Sequence, residues 1–178
     1  MKYKKELVKS MTWLGQKKNT VFLGQTVSCS GSAMFGTLSD IPIGKRIEMP
    51  VAEELQMGIA TGISLTNLVP ITIYPRFDFL LSATNQLVNN LDKFSKMSNK
   101  RVQPKIIIRV GIGSTKPMHP GPQHFQDHSE AFEKMLTTVE VIKLVEPEDI
   151  MEAYKKAYNR TDGKSTLLVE YMDYYGKK

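Results

Sequence analysis

The sequence predicts an α/β fold: a single three-layer domain over residues 1–178, with a mostly parallel sheet and helices on both of its faces. Two observations support this prediction. Apolar runs of strand length alternate with helical patterns along the chain, as they do where crossover helices join parallel strands. The chain has 178 residues, of which 41% are hydrophobic, so it can bury one substantial core.

The basic amino-terminal segment is predicted to be a solvated amphipathic helix. The net charge is +6, and six lysines crowd this end of the chain: Lys2, Lys4, Lys5, Lys9, Lys17 and Lys18. Such a cluster would also suit binding to nucleic acid or to another anionic surface. No recognised nucleic-acid motif accompanies the lysines and no aromatic residues are interleaved with them, so we expect no nucleic-acid partner.

The next helix is predicted over residues 50–67, where two carboxylates, Glu53 and Glu54, stand at the entrance of a long uncharged stretch. Because residues 55–73 contain no ionisable side chain, this stretch is expected to be almost wholly buried. A carboxylate at its entrance would lie beside protein of low dielectric, and burial of this kind tunes acid–base chemistry.

The small residues of this helix predict a packed subunit or domain interface. Four of them would let another helix approach closely: Gly58, Ala60, Gly62 and Ser64. Polar residues and a proline interrupt the uncharged stretch, so we expect no transmembrane helix.

Four further strands and three helices are predicted after residue 67. The strands are expected at residues 69–74, 104–113, 139–147 and 165–172, and the helices at 79–97, 129–136 and 148–158. The expected linkers are residues 99–103, 114–123 and 159–164. The second of these is the expected active-site loop.

The loop at residues 28–36, SCSGSAMFG, is the only small-residue stretch rich enough to suggest phosphate binding. It lacks both the lysine–hydroxyl ending of a P-loop and the GxGxxG spacing. We therefore expect it to shape the carboxyl edge of the sheet.

Cysteine usage fits a cytoplasmic location. The single cysteine, Cys29, excludes an intramolecular disulfide framework and fits a reducing cytosol. The first 15 residues contain no apolar core of signal-peptide length, so secretion is not expected.

An ordered set of short motifs runs through most of the chain. The segments are VFLGQTV at residues 21–27, PVAE from Pro50, GIATG from Gly58, the pair Pro70 and Ile71, FDF from Phe77, QLVN from Gln86 and GPQHFQ from Gly121. Together they resemble the pyrimidine-binding domain of thiamine-diphosphate-dependent enzymes of the transketolase superfamily. The resemblance is strongest to the beta subunit of the 2-oxo-acid dehydrogenases without its carboxyl-terminal domain.

The resemblance implies roles for three side chains. In the family, the aminopyrimidine of the cofactor removes a proton from the thiazolium carbon once a glutamate hydrogen-bonds its ring nitrogen, and Glu53 falls at that position. Phe79 falls where the family stacks an aromatic ring on the pyrimidine. His124 falls where the family has a histidine that handles substrate oxygens or protons.

Other residues near these positions are given structural roles. Glu54 is interpreted as an acid of the first helical turn that complements the helix dipole. Tyr74 and Phe77 are interpreted as packing residues.

The three histidines, His119, His124 and His128, raise the alternative of a metal site, since the last two are four residues apart. Pro120 and Pro122 argue that the region is a loop, and no cysteine or acidic triad completes a ligand set. We expect no metal ligand in this chain.

The family binds the diphosphate of the cofactor through Mg2+ held by a GDG motif followed by an asparagine. The sequence lacks this pattern, and its nearest segment is TDG at residues 161–163. The resemblance therefore implies a diphosphate-binding partner subunit that carries the motif and holds Mg2+, in an assembly that also contains further copies of this chain. The implied reaction is decarboxylation of a 2-oxo acid with transfer of the acyl or aldehyde unit. A transketolase-like transfer from a ketose and a non-catalytic assembly or regulatory role stay open.

Overall fold

A computed structural model describes residues 2–116 and 119–176. Its centre is a six-stranded sheet in the order β2-β1-β3-β4-β6-β5, in which every neighbouring pair is parallel. The strands are β1 (Thr20–Gly24), β2 (Arg46–Glu48), β3 (Val69–Tyr74), β4 (Ile107–Ile112), β5 (Val139–Leu144) and β6 (Ser165–Tyr171). The predicted α/β class with a parallel sheet is confirmed.

Helices cover both faces of the sheet. They are α1 (Lys2–Gly15), α2 (Glu53–Ser64), α3 (Phe77–Leu80), α4 (Phe94–Met97), α5 (Ser129–Met135) and α6 (Pro147–Asn159). Short 3-10 turns and a π-helical turn, Gln86–Asn90, join α3 to α4, so residues 77–97 form one irregular helical segment. In the described part of the chain, no helix is long and apolar enough to cross a membrane.

Side chains of the strands contribute to two buried hydrophobic clusters, one on each face of the sheet. Ile71 and Ile107, which are register partners in β3 and β4, pack into the cluster formed with α1 and α6. Tyr74 and Val110, also register partners, pack into the cluster formed with α2, α3 and α5. Because both faces are covered, the central strands are almost continuously apolar, and every residue of β3 is buried.

The amino-terminal helix α1 is amphipathic, as predicted. Its buried side includes Tyr3, Leu7, Met11 and Leu14. Lys2, Lys5 and Lys9 are exposed on its other side. The apolar stripe docks this helix against α6 and the sheet, which accounts for its formation.

The prediction that residues 55–73 are almost wholly buried is wrong. Leu55 is 52% exposed and Leu65 is 46% exposed, and Gly62 also faces outward. The absence of charge showed that burial was possible, but α2 packs on the sheet through only one stripe of side chains: Gln56, Met57, Ala60 and Thr61. The opposite side of α2 is left as a partly apolar surface.

Strand β2 was not predicted. Its three residues are half-buried or exposed, so they carry no apolar alternation that a sequence pattern could reveal. The structure also shortens the helix predicted at residues 50–67 to Glu53–Ser64. The remaining predicted strands and helices are present with shifts of a few residues at their ends.

A fully buried ion pair ties β4 to β6. Arg109 donates from Nε to Oε1 of Glu170 at 2.5 Å and from Nη2 to Oε2 at 2.9 Å. The hydroxyls of Tyr154 and Tyr175 donate to the same carboxylate. Since neither charged side chain reaches the surface, we interpret this cluster as a structural element of the core.

Candidate functional site

A cavity of about 280 Å³ opens at the carboxyl edge of the sheet. Segments that follow β1, β3, β4 and β6 all contribute to its wall, as does the loop at residues 28–36. The lining residues are Gln25, Thr26, Gly31, Ser32, Ala33, Pro75, Arg76, Phe79, Ser114 and Met172. Ligands of open α/β sheets bind in crevices outside the carboxyl ends of the strands, and this cavity occupies such a position.

Glu53 begins α2 beside this cavity. Its Oε1 accepts a hydrogen bond of 2.8 Å from Nε2 of Gln25, the first residue after β1. Gly24 makes this turn possible, because its φ is +153° and a Cβ there would lie 2.3 Å from the carbonyl oxygen of Ile73. The buried Tyr74 donates its hydroxyl to the main-chain carbonyl of Glu53 at 3.3 Å. The carboxylate is half-buried and held at the start of a helix.

Phe79 and His124 meet edge to face. Their ring centroids are 5.6 Å apart and the rings are inclined by 70°. Phe79 is half-buried and lines the cavity. Nδ1 of His124 is buried, and no described residue gives it a hydrogen bond. An aromatic ring and an imidazole with an unused nitrogen therefore lie together at the carboxyl edge.

Arg76 holds the two ends of the predicted active-site loop together. Its Nη1 donates to the carbonyl oxygen of Gly113 at 2.7 Å and to that of His124 at 2.6 Å. Near the start of this loop, Thr115 donates hydrogen bonds from its main-chain N–H and its hydroxyl to the carboxylate of Asp173. Residues 117 and 118 of this predicted loop lie outside the described residues.

The loop at residues 28–36 shapes the carboxyl edge, as predicted. The carboxylate of Glu48, in β2, accepts main-chain hydrogen bonds from Thr26, Val27 and Ser28. The Thr26 hydroxyl donates to Oγ of Ser32 at 2.7 Å. The edge strand that the sequence did not reveal thus fixes one wall of the cavity.

The three histidines have different neighbours. Nε2 of His128 lies 3.5 Å from Oδ1 of Asp78, whereas Nδ1 of His119 accepts a hydrogen bond from the main-chain N–H of Gly121. His124 contacts Phe79 instead. Among residues 2–116 and 119–176, no group of three or more His, Cys, Asp or Glu side chains is placed to hold a metal.

The structure places all three predicted site residues at the carboxyl edge. Phe79 lines the cavity, His124 contacts Phe79, and Glu53 is joined to the cavity wall through Gln25. The side chain of Glu54 is exposed and accepts a hydrogen bond from Asn85, away from the cavity wall. The predicted packing residues, Tyr74 and Phe77, are fully buried.

Sequence reasoning did not name three residues of the site: Gln25, Arg76 and Ser32, the last of which lies in the loop singled out at residues 28–36. A signal was available for the first two, because polar side chains directly after β1 and β3 must lie at the carboxyl edge of a parallel sheet. Ser32 had no such signal, since its position depends on how the loop folds back over the edge.

Comparison with known proteins identifies the fold and the family. Residues 5–175 match the family described as "Transketolase, pyrimidine binding domain". The transketolase from Campylobacter jejuni superposes with a TM-score of 0.74 at 12% identity, over 96% of this chain and 25% of that one. A structure titled "Split gene transketolase, inactive beta4 tetramer" superposes with a TM-score of 0.71 at 16% identity, over 94% of this chain and 50% of that one.

Curated relatives in sequence are beta subunits of the pyruvate dehydrogenase E1 component. The subunit from Gracilaria tenuistipitata var. liui is 33% identical over 99 residues, 56% of this chain and 29% of that protein. The subunit from Cyanidium caldarium is 25% identical over 161 residues, 88% of this chain and 45% of that protein. The chain thus spans less than half the length of these relatives. With the family matched over nearly all of its residues, the chain belongs to the transketolase pyrimidine-binding domain family.

Proposed function

We propose that this chain is the pyrimidine-domain subunit of a split thiamine-diphosphate-dependent enzyme that decarboxylates a 2-oxo acid and transfers the resulting acyl or aldehyde unit. The observation that carries the proposal is the convergence of Glu53, Phe79 and His124 at the carboxyl edge of the sheet. The relatives named as pyruvate dehydrogenase E1 beta subunits support the 2-oxo-acid branch over a transketolase-like transfer from a ketose.

The residues at this edge fit the pyrimidine half of the cofactor. A half-buried carboxylate and a half-buried aromatic ring suit the pyrimidine, and the buried imidazole nitrogen without a hydrogen-bond partner among the described residues is left for the substrate. When bound, thiamine diphosphate would supply the carbon that attacks the carbonyl of the substrate. Glu53 would hold the pyrimidine through its ring nitrogen, and Phe79 would stack on the ring.

His124 would then serve the substrate. A neutral imidazole can accept a proton at one nitrogen and donate at the other, and Nδ1 of His124 has no described hydrogen-bond partner to compete for it. Arg76 orients this residue by binding its main-chain carbonyl oxygen. In this proposal His124 binds or protonates a substrate oxygen next to the reacting carbon.

The other half of the site would come from a diphosphate-binding partner that carries a GDG motif followed by asparagine and holds most of the Mg2+ coordination. The enzyme would work in the cytosol, where the exposed thiol of Cys29 would stay reduced. Pairs of this chain and pairs of the partner would form the active assembly.

Calorimetry tests this proposal. The isolated chain should bind thiamine diphosphate and Mg2+ poorly and show no turnover. A mixture with the product of an adjacent reading frame that contains GDG and a downstream asparagine should bind both tightly and release CO2 from a 2-oxo acid. Transfer from a ketose phosphate without CO2 release would favour the transketolase alternative, and no cofactor binding by the mixture would favour a non-catalytic role.

A further inference from the structure

The cavity at the carboxyl edge contains one charged side chain, that of Arg76. Every other residue of its wall is neutral, with an amide from Gln25 and hydroxyls from Thr26, Ser32 and Ser114 among them. The carboxylate of Glu53 is bonded to Gln25 but does not itself line the cavity, so the half-buried guanidinium of Arg76 is the charge in the wall. The cavity is therefore suited to a ligand that carries a negative charge.

Arg76 differs from the other half-buried or buried arginines in how its guanidinium is bonded. Arg109 and Arg160 form ion pairs with carboxylates. Arg46 donates from Nε, Nη1 and Nη2 to main-chain carbonyl oxygens. Arg76 donates only from Nη1, and within residues 2–116 and 119–176 no carboxylate lies within ion-pairing distance of it. A carboxylate ligand would complete both its charge balance and its hydrogen bonding.

Ser32 supplies a second donor in the same wall. Its Oγ accepts hydrogen bonds from the hydroxyl of Thr26 at 2.7 Å and from the main-chain N–H of Phe35 at 3.3 Å. A hydroxyl has two acceptor positions and one proton. With the Thr26 hydroxyl as the donor in that pair, the proton of Ser32 is available to a ligand.

We infer that Arg76 and Ser32 bind the carboxylate of the 2-oxo acid substrate in this cavity; this inference rests on the proposed function. The planar guanidinium can engage a carboxylate through two parallel hydrogen bonds, and Ser32 adds a neutral one. Because Arg76 also binds the carbonyl oxygen of His124, the same side chain couples substrate binding to the position of that histidine. The two residues determine specificity for acids over neutral carbonyl compounds.

The test is a titration of the chain, without cofactor or partner, followed by 1H–15N NMR. The probes are pyruvate, its uncharged methyl ester and inorganic phosphate. Pyruvate should shift the amide resonances of Ser32, Arg76 and Ser114 in a saturable manner, and the ester should not. Equal binding of the ester and the acid would overturn the inference, and so would shifts confined to the lysines of α1.

Four variants locate the site. Arg76→Gln should weaken pyruvate binding by about 10- to 100-fold and Ser32→Ala by about 3- to 10-fold, the effects of losing a charged and a neutral hydrogen-bonding group. Arg76→Lys keeps the charge but loses the planar pair of N–H donors, so its affinity for pyruvate should lie between those of wild type and Arg76→Gln. Arg101→Gln, the same change at an exposed arginine, should have no effect. In the described residues, Ser32 makes no hydrogen bond to the segment that contains His124. Its variant therefore tests the site even if Arg76→Gln moves that segment.

The outcomes also separate this inference from the proposed function. Unchanged pyruvate affinity in both Arg76→Gln and Ser32→Ala would refute the inference whatever the complex does with the cofactor. Phosphate binding that is tighter than pyruvate binding and depends equally on Arg76 would refute the carboxylate assignment in favour of a phosphorylated substrate. Variant-dependent pyruvate binding in a chain whose complex takes up no thiamine diphosphate would refute the proposed function and leave the carboxylate site in place.

Discussion

Gln25 and Glu53 are joined by a hydrogen bond of 2.8 Å between Nε2 and Oε1, which links the end of β1 to the start of α2. Gln25 also forms part of the cavity wall. A neutral amide donor orients the carboxylate without neutralising its charge, so Glu53 keeps its capacity to bind a protonated ring nitrogen. Through this bond Glu53, and not its neighbour Glu54, is joined to the cavity wall.

We expect Glu53→Gln to lower the activity of the reconstituted complex by roughly 10²- to 10⁴-fold, the usual span for loss of a positioned acid–base group. The fold should be retained, because the side chain is only half-buried. Exchange of the thiazolium proton of the cofactor, followed by NMR, measures the effect directly. Glu54→Gln is the matched control and should change the rate little. Equal exchange rates in wild type and Glu53→Gln would refute the assignment.

Phe79→Leu should weaken binding of the cofactor by the complex while leaving the chain folded. The ring is half-buried, so even Phe79→Ala should cost less than the roughly 3–5 kcal/mol typical of a fully buried phenylalanine. Phe77→Ala is the comparison: its ring is fully buried and stacked on Phe132, so the full cost is expected in urea unfolding. Unchanged cofactor affinity in Phe79→Leu would move the stacking role to another residue.

Gly62→Leu should abolish association with the partner while the isolated chain stays folded. A Cβ at Gly62 would meet nothing within 4 Å, so the separate chain has room for a larger side chain that a close helix contact would lack. Around it, α2 and the residue that follows it present two exposed apolar side chains, Leu55 and Leu65.

Light scattering of the chain alone and of the mixture measures this association. Gly62→Ala is the graded control: it should stabilise α2 by roughly 0.5–1 kcal/mol and disturb association less than leucine does. Normal assembly of Gly62→Leu would exclude this side of α2 from the interface.

Asp92 should contribute stability that is lost in acid. Burial alone would raise its pKa, but hydrogen bonds from Lys93 and from the main-chain N–H groups of Thr138 and Thr137 outweigh burial and lower the pKa to about 2. A carboxyl whose folded pKa lies below its unfolded value of 3.8 stabilises the fold above that value. This contribution should fall as the pH drops from about 4 to about 2.

Urea unfolding at a series of pH values measures this contribution. Asp92→Asn should lower the free energy of unfolding at pH 7 and reduce its dependence on pH between about 4 and 2. Asp162→Asn is the comparison, because a hydrogen bond from Arg160 also lowers the pKa of this half-exposed carboxyl to about 2. Its smaller burial predicts a smaller loss. If the free energy of unfolding fell equally in acid in wild type and in Asp92→Asn, the prediction would be contradicted.

The α/β class and most of the sheet could be predicted because the central strands carry local signals. The strand Val69–Tyr74 has the predicted bounds, since all six residues are buried and Pro75 follows them. Glu53, Phe79 and His124 were proposed from their motifs, and the structure puts all three at one edge of the sheet. Their roles stay predictions until the experiments above are done.

The sequence by itself determined most of the strands and helices, and it placed three candidate residues through short ordered motifs. Only the tertiary structure decided that α2 is exposed on one side, that β2 exists, that Arg109 and Glu170 are paired inside the core, and that Arg76 and Ser32 share a cavity. The physical reason is that secondary structure follows from periodicity along a few neighbouring residues. Exposure, charge pairing and the composition of a cavity depend on which distant segments meet, and Arg76 and Ser32 are brought together only when β1 and β3 pair in parallel.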